Sequence, residues 1–186
     1  MSPVILLLTV LLFAGAPFLS QLYDSKPLDT VPYVNLTRYS GHWFVWANQP
    51  IDLTQHNCYC SIFNYTLNSD GTLSVEEQCN KGSGNGTLNV RTGTGTVLNK
   101  TSNAQIEMKF SITDKYEYDI IALDENYTYA LVGNPARTRA YIISRHNIFE
   151  QKVFDNYSSI AFLNGFNNNW RYPYQGKACY YNFTAA

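Results

Sequence analysis

Gly41-His42-Trp43 and, far along the chain, Ala140-Tyr141-Ile142-Ile143-Ser144-Arg145 are the stretches on which the fold turns. A glycine lets the chain bend sharply where a first strand begins, and a tryptophan offers a flat face that an arginine guanidinium can cover. Together they can close one end of a small barrel. Function is then expected at the opposite, open end.

Between these stretches the sequence falls into short runs of period-two alternation separated by turn residues, the pattern of an antiparallel meander. Eight runs occur, at 41–49, 58–67, 72–79, 89–98, 105–112, 116–124, 127–133 and 139–145. Alternation is clearest where Ile106, Met108, Phe110 and Ile112 interleave with Glu107, Lys109 and Ser111, giving one apolar and one wet face. In the second run Phe63, Tyr65 and Leu67 alternate with Asn64 and Thr66, and a glycan on Asn64 would hold the second set outside. Asn68-Ser69-Asp70-Gly71 spells a hairpin turn, while Gly93 and Gly95 point to a bend or bulge. Eight curved strands close into a barrel without exposed edges, and its interior either fills with side chains or holds one small ligand.

After Arg145 the pattern changes. Asn147 followed three positions on by Glu150 reads as a helix start, with Phe149, Val153, Tyr157 and Ile160 on one face and an end near Gly165. Asn156 lies about 60° from the centre of that face at 100° per residue, so a glycan there would conflict with packing. The aromatic-rich tail from Trp170 to Tyr181, carrying Cys179, reads as an extended segment stapled to the barrel wall. The expected fold class is therefore all-β: an eight-stranded antiparallel up-and-down barrel with one C-terminal helix packed outside and a disulfide-tethered tail.

The apolar run Val4 to Ala16 has the length of a signal-peptide core and is too short to span a bilayer comfortably. Residues 1–20 are read as a signal peptide cleaved between Ala16 and Tyr23, and 21–186 as a single domain. The tail offers no apolar stretch for a membrane span. Glycosylation sequons at Asn35, Asn64, Asn85, Asn99, Asn126, Asn156 and Asn182 fit a secreted, extracellular glycoprotein. Four cysteines, Cys58, Cys60, Cys79 and Cys179, fit two disulfides in that compartment, and their spacing does not fit zinc. A net charge of −1 without a basic run excludes a nucleic-acid footprint. No metal or cofactor is expected.

Three motifs in order resemble the lipocalin family, in the branch of apolipoprotein D and the bacterial outer-membrane lipocalins. Tyr39-Ser40-Gly41-His42-Trp43, followed by Ala47 and Pro50, is similar to the family's Y-x-G-x-W start of the first strand. Leu123-Asp124-Glu125-Asn126-Tyr127-Thr128-Tyr129-Ala130-Leu131-Val132-Gly133 is similar to that branch's L-D-x-x-Y-x-x-A-L-V form, and Ile142-Ile143-Ser144-Arg145 is the third motif. Two departures stand out, Trp43-Phe44-Val45-Trp46 after the first tryptophan and Asp124 where many members carry Thr.

The resemblance implies that Gly41, Trp43 and Arg145 close the barrel, with the 123–133 hairpin completing that end. It also implies that Cys60 bonds Cys179, leaving Cys58 for Cys79. Hairpin counting leaves this open, since pairing residues 67 and 72 would set Cys60 opposite Cys79, whereas aligning Tyr65 with Val75 sets neither cysteine opposite it. Candidate cavity residues are Phe63, Tyr65, Met108, Phe110, Tyr118 and Ile120. The function the resemblance implies is non-covalent carriage of a small hydrophobic ligand, a fatty acid, lysophospholipid, sterol or similar lipid. Two alternatives are a secreted protein-binding module whose open-end loops engage a receptor, and a lipid-isomerising lipocalin enzyme using a free thiol. His42, His56 and His146 lack partner spacing for metal or acid–base work, and Glu76-Glu77 and Asp124-Glu125 read as solvated strand ends, so no catalytic site is expected.

Overall fold

The computed structural model describes residues 26–49 and 57–181. The signal-peptide segment, Pro50, His56 and Asn182 lie outside the described residues. Eight strands, β1 (Gly41–Gln49), β2 (Cys58–Leu67), β3 (Leu73–Lys81), β4 (Thr87–Val97), β5 (Gln105–Lys109), β6 (Lys115–Leu123), β7 (Tyr129–Gly133) and β8 (Ala140–Ser144), follow one another around a closed antiparallel barrel. A short helix α1 (Leu36–Tyr39) precedes β1, and α2 (Gln151–Leu163) packs outside. Asn35 caps α1, its side-chain oxygen accepting from the Arg38 amide.

The barrel wall separates two apolar clusters. Trp43, Val45, Phe63, Tyr65, Val75, Ile106, Met108, Tyr118, Ile120 and Ile143 fill the inside. Phe44, Trp46, Ile62, Leu131 and Ile142 face outward and are covered by Phe154, Tyr157 and Ala161 of α2 and by Phe166 and Trp170. These strands carry apolar residues on both faces, because one face meets the interior and the other the helix and tail.

The tail lies against β1 and β2. Arg171 bridges Asn48, the Cys60 amide donates to the Tyr174 carbonyl at 2.7 Å, and Cys179 is disulfide-bonded to Cys60. The second disulfide joins Cys58 and Cys79. Among the described residues no helix is long and apolar enough to cross a membrane.

Several local expectations are corrected. The β3–β4 register runs unbroken through Gly93 and Gly95. These glycines serve close approach instead, since a Cβ on Gly93 would fall 2.6 Å from the Lys109 carbonyl oxygen and 2.8 Å from the Phe110 ring. Register slips occur between Val45 and Ala47, Tyr59 and Ile62, and Ile120 and Ala122. The fifth strand stops at Lys109, and Ile112 stands 90 % exposed in the open-end turn, where the Ser111 hydroxyl accepts from the Thr113 and Asp114 amides. Helix α2 begins at Gln151 rather than beside Asn147, and Phe149 packs on Trp46 and Phe154 ahead of it. Asn156 is exposed, because the helix buries Phe154, Tyr157 and Ala161 and turns the sequon away.

Candidate functional site: the open mouth of the barrel

The hairpin turn at Asn68–Gly71 sets the β2–β3 register, with Leu67 opposite Leu73 and Tyr65 opposite Val75. Extended straight, that register would carry Cys58 and Cys60 to one face. The bulge at Cys60, which takes φ +58°, reverses the parity. Cys58 consequently lines the interior with Cys79, while Cys60 reaches the tail cysteine outside. All four thiols are committed to bonds, so the thiolate that isomerase chemistry requires is absent from the described residues.

The closed half of the interior is packed with tyrosine. The Tyr65 hydroxyl donates to that of Tyr118 at 3.0 Å, the Tyr39 hydroxyl lies 3.4 Å from it, and the Tyr39 ring stacks on Tyr65 at 5.6 Å. Burial raises all three phenols, so they remain neutral and exchange hydrogen bonds among themselves. Phe63 meets Tyr65 and Tyr141 edge-on and forms the boundary between this cluster and the space above it.

Above the boundary a cavity of about 420 Å³ opens toward the mouth. Val45, Phe63 and Tyr141 supply apolar wall, Asn48, Ser61, Gln78 and Asn89 supply polar wall, and Glu77, Lys81, Arg91, Asp114 and Arg139 carry charge. The Arg91 guanidinium donates to Glu77 Oε2 from Nε at 3.1 Å and from a terminal nitrogen at 2.6 Å, and its other terminal nitrogen donates to Asp114 at 2.7 Å. Its carbon stands 3.7 Å over the Phe110 ring. Tyr116 donates to the other Glu77 oxygen at 3.0 Å. Burial pushes the Glu77 carboxyl up against the pull of Arg91.

Of the candidate cavity residues, Phe63 lines this space. Tyr65, Met108, Tyr118 and Ile120 are buried in the packed half beneath it, and Phe110 is half-buried under Arg91, stacked on Tyr116. Of the acidic pairs read as solvated strand ends, Glu77 is corrected, while Asp124 and Glu125 do follow the end of β6, half-buried and exposed respectively. The Glu77 side chain is only 14 % exposed and points inward. Asp124 organises the β6–β7 turn, its carboxylate accepting from the amides of Asn126, Thr128 and Tyr129. The signal for Glu77 was available: it shares the parity of Leu73 and Val75, with Arg91 opposite it on the neighbouring β4, while Tyr116 reaches it from β6 across the interior. Its position beside Glu76 concealed this, because adjacent residues on a strand face opposite sides.

At the other end, the Arg145 guanidinium lies over Trp43, and a Cβ on Gly41, which sits at φ +95°, would come within 3.3 Å of that guanidinium. Residues 34–170 match the family pattern of the lipocalin-like domain. The chain belongs to the lipocalin family. This lipocalin is 27 % identical over 139 residues to temperature-induced lipocalin-1 of Arabidopsis thaliana, covering 70 % of this chain and 73 % of that protein. A lipocalin-type protein of Acanthamoeba polyphaga mimivirus is 26 % identical over 155 residues, 80 % of this chain and 88 % of that one. Among solved structures, insecticyanin of the tobacco hornworm Manduca sexta superposes with a TM-score of 0.66 at 18 % identity, covering 83 % of this lipocalin and 87 % of its own chain. Lobster apocrustacyanin A1 gives 0.62 at 14 % identity, with 82 % and 94 % covered. At these identities the superpositions establish the fold alone.

Proposed function

We propose that this lipocalin is a secreted glycoprotein that captures a small hydrophobic ligand of the lipid class in the barrel mouth and carries it without covalent chemistry. The supporting observation is the 420 Å³ cavity, open to solvent and backed by Phe63, Tyr141 and Val45. That volume falls in the lower part of the range for small-molecule sites. Moving an alkyl chain from water into it contributes about 0.8 kcal/mol per CH₂, so ten carbons supply roughly 8 kcal/mol before entropy costs.

Secretion is consistent with the apolar leader, the two disulfides and the sequons. None of the six sequon asparagines among the described residues is buried, which leaves each side chain accessible to a glycan. The Leu123–Gly133 hairpin supports a place beside apolipoprotein D and the bacterial outer-membrane lipocalins. The protein-binding reading is weaker, because the mouth is not filled by side chains.

Expression in eukaryotic cells, purification without detergent and lipid mass spectrometry test this, beside a variant filled by Val45→Phe and Ser61→Phe. A stoichiometric lipid on the parent alone, on protein recovered from the medium and shifted by glycosidase, is the expected result. Equal lipid on both, or none recovered and none bound on addition, refutes the reading.

A further inference from the structure

Three cations, Lys81, Arg91 and Arg139, and two carboxylates, Glu77 and Asp114, are among the residues that line the mouth. Arg91 absorbs both carboxylates, and Tyr116 takes the remaining Glu77 oxygen. Both Glu77 oxygens are thereby satisfied, and a ligand amine would have to displace Arg91 to reach that acid.

Arg139 differs. It stands immediately before β8 on the open rim, half-buried, with its guanidinium carbon 4.9 Å from the centre of the Tyr116 ring. Among the described residues, the ion pairs involve Lys26, Arg91 and Lys115, and none involves Arg139. A planar fork of donors, partly withdrawn from water beside a cavity, is suited to a carboxylate.

We infer that the mouth selects a short amphiphile with a carboxylate head, the head held by Arg139 at the rim and the apolar body laid on Val45, Phe63 and Tyr141. This rests on the carrier reading and names the ligand class for the same cavity. The tyrosine-packed half below limits the length. At about 30 Å³ per heavy atom, the space a water occupies in the liquid, 420 Å³ holds roughly 14 heavy atoms, the size of dodecanoate.

Calorimetric titration of the delipidated, glycosylated protein near neutral pH with dodecanoate, dodecanol and dodecylamine tests this. Dodecanoate is expected to bind about tenfold more tightly than dodecanol, a difference near 1.4 kcal/mol. Arg139→Gln should remove that preference while leaving dodecanol within about twofold, Arg139→Lys should restore part of it, and Lys81→Gln should have the smaller effect. Thermal melting of each variant checks folding, and Arg139→Lys tests the charge should Arg139→Gln fold poorly. Equal binding of dodecanoate and dodecanol, indifference to Arg139→Gln, or tightest binding of dodecylamine overturns the head-group assignment and leaves the carrier reading standing. Binding of none of the three, with no lipid recovered from the secreted protein, overturns both.

Discussion

The guanidinium carbon of Arg145 stands 3.8 Å from the centre of the Trp43 ring, so that one side chain plugs the closed end of the barrel. Its terminal nitrogens donate to the carbonyls of His42, Ser40, Tyr39 and Arg38, and the indole nitrogen of Trp43 donates to the Tyr39 carbonyl. The turn into β1, the first strand itself and the end of β8 are thereby joined at one point. Arg145→Ala removes the stacked cation and strands several carbonyls, an expected loss of about 3 kcal/mol in urea unfolding. Arg145→Lys keeps the charge without the fork and should lose roughly half as much. Equal stability of the parent and Arg145→Ala would contradict this role.

Tyr118 is the hub of the buried hydroxyl cluster, in contact with both Tyr39 and Tyr65. Tyr118→Phe removes the shared partner and leaves two buried hydroxyls unsatisfied, at a cost of about 2 kcal/mol. Tyr39→Phe leaves the Tyr65–Tyr118 bond intact and should cost less. Denaturant midpoints of the two variants give the ranking directly.

The disulfides close loops of very different length, with sequence separations of 119 for Cys60–Cys179 and 21 for Cys58–Cys79. Chain entropy assigns them about 5 and about 3 kcal/mol respectively. Paired Cys→Ser substitutions, measured by thermal unfolding, should therefore destabilise more at the first bridge than at the second. Proteolysis should also release the tail in Cys60→Ser, Cys179→Ser before the barrel opens.

Asp119 is buried with its Oδ1 lacking any hydrogen-bond partner. Burial, and behind it the Glu117 carboxylate, pushes its carboxyl up to about 7. The folded state then holds this proton at pH values where the unfolded state, near 3.8, has released it. Stability from this group is fully present below about 4, falls as pH rises toward about 7, and is flat above. The difference in unfolding free energy between the parent and Asp119→Asn, followed across that window, should show this decline. A difference independent of pH would refute it.

Much of the barrel was legible because its signals are local. Period-two alternation placed Phe63 and Tyr65 on the inner face and Asn64 on the outer, and the Asn68–Gly71 turn marked the hairpin. Ile112 misled for a physical reason: it keeps the parity of Met108 and Phe110, but the strand has already ended where the Phe110 amide donates to the Asp114 carbonyl. Asn147 and Glu150 misled likewise, since Trp46 takes Phe149 against the wall and delays the helix to Gln151.

The sequence by itself determined the strand order, the antiparallel hairpins and the faces of the runs with clear alternation, Phe63 to Leu67 and Ile106 to Phe110, because these follow from spacing between near neighbours. Only the tertiary structure decided which inward residues pack and which leave space. The tyrosine cluster fills one half because residues from α1, β2 and β6 meet across the barrel. The mouth stays open because Arg91 gathers Glu77 and Asp114 to one wall. Whether Cys58 faces that mouth or the solvent depended on one bulge at Cys60, since a single inserted residue reverses every side chain beyond it.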